Sequence, residues 1–209
     1  GTHKVLVDPF LTGNPVASVK ADDVACDYIL VSHAHGDHLG DAPSIAARTG
    51  AKIVSTPEVI SVCESQSLAE IASCPMNIGG SLNLPFGKVR MTFAQHSAGV
   101  AGGIACGFVV YIGGRTLYYA GDTALFSDMQ LIGRKDSIDY AVLPIGDNYT
   151  MGLEDAAMAA QWVNAGHVIP IHYNTWPVIK QEARHYKDVT EAMTRARVHI
   201  MAPGDTMEL

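Results

Sequence analysis

Hydrophobic positions along this chain fall into short runs separated by polar or glycine-rich stretches. Val5–Val7 and Tyr28–Val31 are β-rich runs, and the second stops at a cluster of histidines. The first follows Gly1-Thr2-His3 so closely that it reads as the middle of a hairpin. Ala42–Arg48 predicts a helix and Lys52–Ser55 a strand. Pro57 suits the first turn of a second helix, running to about Glu64. The middle is richer in strands: Ser81–Leu84, Val89–Ala94, Cys106–Ile112 and Thr116–Ala120, with Gly113-Gly114 as a hairpin turn. Helix returns at Ala124–Ile132, then a strand at Tyr140–Pro144. In Glu154–Asn164 the apolar residues Ala156, Ala159, Ala160 and Val163 follow helical spacing, and Gly166 follows as a stop. A strand at Val168–Ile171, a helix at Gln181–Arg195 and a strand at Arg197–Met201 complete the pattern. With no linker or repeat, it predicts a single α/β (α+β) domain over residues 1–209. Two mixed β-sheets pack face to face with helices outside, a four-layer αββα sandwich.

Composition narrows the class. The chain has 209 residues, 48% of them hydrophobic and 17% charged, which fits a sizeable core rather than a disordered segment. The net charge of −7 argues against broad binding to nucleic acid or anionic membrane. Cys26, Cys63, Cys74 and Cys106 form no C-x-x-C pair and read as free thiols of a reduced compartment. No apolar run spans a bilayer and none reads as a signal peptide, so a cytoplasmic location without a membrane partner is expected.

Ser32-His33-Ala34-His35-Gly36-Asp37-His38 carries the chemistry. Three imidazoles and a carboxylate within six positions are costly to hold together unpartnered, and a metal ion uses them all. Two ions suit the spacing better than one. On a turn after a strand, His33 and His35 point one way and Asp37 and His38 another, toward positions about 3.5–4 Å apart. His96, Asp122, Asp147 and His172 also lie just beyond apolar strands, where loops converge along one edge of a layered fold. Gly121 allows a tight turn before Asp122, which could also cap a helix from Ala124. His3, His167, His185 and His199 read as surface or satisfied polar positions, and His167 begins the strand that His172 ends.

The series His33-x-His35-x-Asp37-His38, His96, Gly121-Asp122 and His172 resembles the metallo-β-lactamase superfamily. Within it the chain is similar to the UPF0173 metal-dependent hydrolases. That match rests on residues 8–15 (DPFLTGNP), 32–41 (SHAHGDHLGD), 144–152 (PIGDNYTMG) and 172–175 (HYNT), and covers essentially the whole chain. Two departures stand out. The family's first strand and its Gly-His-Ser/Ala turn are absent ahead of residue 1, which would leave a sheet edge unpaired and remove a polar group near the pocket. Leu153 stands where proline is expected at a helix start.

The resemblance implies one metal on His33, His35 and His96, a second on Asp37, His38 and His172, and Asp122 bridging. A hydroxide between the metals would be the nucleophile, with Asp37 orienting it or taking its proton. Asp37 and Asp122 are thus the implied catalytic residues. Asp8 either holds a ligand imidazole by its second nitrogen or caps the Pro9 turn. Asn148, Tyr149 and Asn174 follow strand ends and are substrate-side candidates. Zinc suits this ligand set best, and manganese or iron also binds it. The expected activity is hydrolysis of an ester-type bond in a small molecule: a phosphodiester, lactone or thioester. The alternatives are a mononuclear iron enzyme of the persulfide dioxygenase type, which would leave His38 or His172 without a ligand role, and a silent metal-binding protein. A homo-oligomer is compatible with the sequence.

Overall fold

The computed structural model describes residues 3–209. One sheet has four strands in the order β1 (Val5–Val7), β2 (Tyr28–Leu30), β3 (Lys52–Ser55) and β4 (Ser73–Pro75). The other has seven. Its antiparallel part is β5 (Ser81–Leu84), β6 (Gly87–Phe93), β7 (Cys106–Ile112) and β8 (Arg115–Tyr119). Beyond β8 it continues in parallel through β9 (Tyr140–Pro144), β10 (His167–Ile171) and β11 (Arg197–Val198).

Alternation along the strands builds three apolar layers. Tyr28 and Leu30 of β2 face Met91 and Phe108 between the sheets. Ile29 points the other way, against Ile45 and Val59 of α2 (Ala42–Thr49) and α3 (Pro57–Gln66). Val109 and Tyr118 turn outward beneath α4 (Met129–Lys135), α5 (Leu153–Trp162) and α6 (Ala183–Met193). A strand buried on both faces reads as an unbroken apolar run, as Tyr28–Leu30 does. The expected four layers are therefore present, and α5 starts at Leu153 without proline.

Several expectations need correction. The Val5–Val7 strand pairs with β2 in parallel, across residues 8–27. The four described strands of this sheet are all parallel, so only the seven-stranded sheet is mixed. Strand β4 escapes the hydrophobic pattern because Ser-Cys-Pro carries no apolar run, and proline is tolerated at an edge. Helix α4 begins at Met129, not Ala124. Ala124 N–H donates to Gln95 O and Gln95 N–H to Thr123 Oγ1, tying this segment to the loop that carries His96. Strand β11 stops after Val198, whose N–H and carbonyl are taken by Glu191 Oε1 and Lys187 Nζ of α6. The Gly113-Gly114 turn is as expected, both glycines having positive φ (59° and 78°) in the β7–β8 hairpin.

Beneath α4 lies a buried ion pair. Arg90 on β6 donates through Nη2 to Asp136, at the end of α4, and Tyr111 OH donates to the other carboxylate oxygen. Both charged side chains are buried.

Candidate metal centre

The expected ligands converge at one edge of the layers. His33 leaves β2, and His35 caps the single-turn helix α1 (Gly36–Leu39), which supplies Asp37 and His38. His96, Asp122 and His172 follow β6, β8 and β10. Three groups could each hold a metal ion, their ligand atoms lying within 4.8 Å of one another: His33, His35 and His96; His33, His38 and Asp122; and Asp37, His38 and His172.

Asp122 stands between the groups. Its Oδ2 is 3.2 Å from His38 Nε2, 3.3 Å from His172 Nε2 and 3.7 Å from His96 Nε2. It does not cap a helix, since none begins at Ala124. His33 Nε2 and His35 Nδ1 are 2.9 Å apart, and Asp37 Oδ2 is 3.4 Å from His172 Nε2. His38 Nε2 and Asp122 Oδ1 are buried without a hydrogen-bond partner. Buried polar atoms are rarely left so. Cations coordinated by these nitrogens and oxygens would satisfy them, so the donor set fits the implied metals.

Glycines let the ligands approach. A Cβ on Gly99 (φ 70°) would meet His35 Cδ2 at 2.7 Å, and one on Gly121 (φ 64°) would meet Cys106 O at 2.7 Å. His172 itself has φ 55°, a conformation costly for a side-chain-bearing residue and common at functional sites.

Charge is unevenly distributed. Burial, and next the neighbouring His38, pushes His33 down to about 3, so it is a neutral ligand at neutral pH. Burial also disfavours a charged His38, but Asp8 and then Asp122 outweigh it and hold its imidazole up to about 10. Burial likewise works against the Asp37 carboxylate, yet His172 and His38 hold it well below the usual range. A metal ligand must be deprotonated, so metal has to displace the His38 proton. At pH 7.5, metal binding to the metal-free protein is expected to release protons, that of His38 among them, and affinity should rise with pH. Calorimetry in buffers of different ionisation enthalpy reads the number released. No release would contradict the assignment.

A β-lactamase superfamily domain model matches residues 3–173. A UPF0173 metal-dependent hydrolase of Pelotomaculum thermopropionicum is 48% identical over 217 residues, covering 100% of this chain and 94% of the relative. One from Heliobacterium modesticaldum is 47% identical and covers 100% and 91%. The solved structure of Igni18, a metallo hydrolase from Ignicoccus hospitalis, superposes with a TM-score of 0.88 at 34% identity, covering 97% of this chain and 89% of that one. The chain belongs to the UPF0173 metal-dependent hydrolase family.

In this UPF0173 protein Asp8 turns its carboxylate toward the metal ligands rather than capping the Pro9 turn. It adopts φ 42° just after β1 and accepts four hydrogen bonds: from Ser32 N–H (2.8 Å), Ser32 Oγ (2.6 Å), Tyr119 OH (2.7 Å) and His38 Nδ1 (2.8 Å). Ser32 Oγ also lies 2.9 Å from His33 Nδ1. Asp8 thus orients His38 directly and His33 through Ser32. Asp8→Asn keeps a residue that tolerates positive φ but loses the charge, and is expected to weaken metal affinity about 10–100-fold. Competition with a chromophoric chelator measures it, and unchanged affinity would remove Asp8 from the design.

The substrate-side candidates fare less well. Asn174 Oδ1 accepts from Gln181 N–H, a loop-stabilising bond. Asn148 and Tyr149 are exposed on the loop after β9. The sequence did not mark Ser32, Tyr119 and Gly99 as supports, nor Phe10 beside Trp176, whose rings lie 5.9 Å apart. His167 is at the far end of β10, paired with His199 at 2.9 Å.

Proposed function

We propose that this UPF0173 hydrolase cleaves an ester-type bond, in a phosphodiester, lactone or thioester, with two divalent ions, zinc in preference to manganese or iron. The observation carrying this reading is the Asp122 carboxylate. One oxygen lies within 3.7 Å of imidazoles from both ligand groups, as a bridge between two ions requires. When bound, such ions supply Lewis acidity and lower the pKa of a coordinated water toward about 7. His33, His35 and His96 would hold one ion and Asp37, His38 and His172 the other. Asp37 is the partly exposed member, its side chain 28% accessible against 4% for Asp122. Held ionised by His172 and His38, it can orient the attacking water and receive its proton. His38 and His172 both face Asp122, which supports two occupied positions rather than a mononuclear iron site.

No helix among the described residues is long and apolar enough to cross a membrane, and all four cysteines are unbridged. The free thiols support a reducing, cytoplasmic setting. Protein purified without chelator is expected to carry about two zinc or manganese ions per chain. It should hydrolyse at least one of bis-p-nitrophenyl phosphate, a lactone and an acyl thioester, lose that activity to chelator and regain it with metal. One iron per chain, or no turnover after reloading, would overturn the reading.

A further inference from the structure

Beside the metal ligands a recess of about 170 Å³ opens between the sheets. Asp37, His38 and His172 form its metal-facing side, and Phe10, Asn14, Thr175 and Trp176 form its outer wall. Among the described residues, no lysine or arginine lines it. Phe10 and Trp176 meet there with their rings tilted by 34°.

Both aromatic residues sit on loops that are pinned. Leu11 and Thr12 N–H donate to Asp41 Oδ2 at 2.9 and 2.8 Å, Asp41 N–H donates to Pro9 O, and Asn14 Nδ2 donates to Phe10 O. On the other side, Asn174 N–H donates to Ile179 O and Asn174 Oδ1 accepts from Gln181, closing a loop over the buried Ile179. Pinning the two loops lowers the cost of ordering this pair on binding.

We propose that Phe10 and Trp176 form the subsite for one uncharged, benzene-sized group of the substrate, next to the bond that is cut. This rests on the metal centre proposed above and narrows its substrate class. A cavity of roughly 150 Å³ lined by apolar side chains accommodates benzene, so the volume is right for one ring. With carboxylates and no lysine or arginine on its walls, the recess disfavours an anionic substituent, and the Phe10 and Trp176 rings give an uncharged group an apolar face. Any anionic portion of the substrate would fall to the metals.

The test compares phenylacetohydroxamic acid with acetohydroxamic acid on the metal-loaded, full chain by calorimetry. Both carry the same metal-binding head, and only one carries the ring. Burying the ring predicts about tenfold or more tighter binding of the aryl ligand. Phe10→Ala and Trp176→Ala, each checked for folding by circular dichroism, should each shrink that ratio. Equal affinity for the two ligands, or a ratio that survives both substitutions, would overturn the subsite. Failure of both ligands to bind would overturn the metal centre on which it rests. Turnover plays no part in the readout. A protein that binds with the expected ratio yet hydrolyses nothing would keep the subsite and lose the hydrolase reading.

Discussion

Asp37→Ala is expected to lower turnover about 10²–10⁴-fold, the range for removing a positioned general base. Two properties make this the largest single loss of activity. Asp37 belongs to the ligand group with His38 and His172, and its partly exposed carboxylate is the acidic group of the centre open to solvent. Its Oδ2 lies 3.4 Å from His172 Nε2 and 3.7 Å from His38 Nε2, so truncation also removes the anion between two imidazoles. Asp37→Asn separates the roles: the amide keeps the size and loses the charge. If Asp37→Ala retains full turnover on the best substrate at saturating metal, the assignment of the base is wrong. Metal analysis of the same preparation shows whether lost occupancy or lost proton transfer is responsible.

The largest loss of stability is expected far from the metal centre. Asp136→Ala leaves Arg90 as a buried cation with no counter-charge and takes the acceptor from Tyr111 OH. Removing one partner of a buried ion pair typically costs about 3–5 kcal/mol. Urea unfolding should show a lower midpoint at unchanged slope. The double variant Arg90→Met, Asp136→Leu should recover most of the loss, because filling the space with apolar side chains removes the unpaired charge. A single variant as stable as the native chain would show that Arg90 finds another partner or water. The sequence hid this pair: Arg90 sits in a strand whose other residues point correctly inward or outward, and Asp136 lies 46 positions away.

How legible each ligand was follows from where its partners lie in the chain. His33 to His38 stood out because four ligands are nearly contiguous, on one strand end and one helical turn. His96, Asp122 and His172 could be singled out only as strand-end residues and by family resemblance. Their spatial convergence depends on pairings between strands that periodicity does not report. The supports were hidden for the same reason. Tyr119 reaches Asp8 across 111 positions, and Ser32 acts through a hydroxyl whose value depends on Asp8 lying opposite. The layered architecture was readable from apolar runs such as Tyr28–Leu30. The parallel β1–β2 pairing was not readable, since a three-residue strand does not reveal its partner or direction. Residues 124–128 looked helical, but Ala124 N–H is taken by Gln95 O, a contact no local window contains.

The distribution of ligands also bears on how the centre assembles. The four-stranded sheet brings its ligands as one local packet, whereas the seven-stranded sheet brings three that are separated by dozens of residues. Closing such distant loops is slow and entropically costly, so those three arrive only when the two sheets dock. An ion that met the chain during folding would therefore find the His33–His38 packet first, as a weak and unselective chelate. The full set becomes available only in the native state, and tight binding thereafter acts as a clasp between the sheets, stabilising the docked form by mass action.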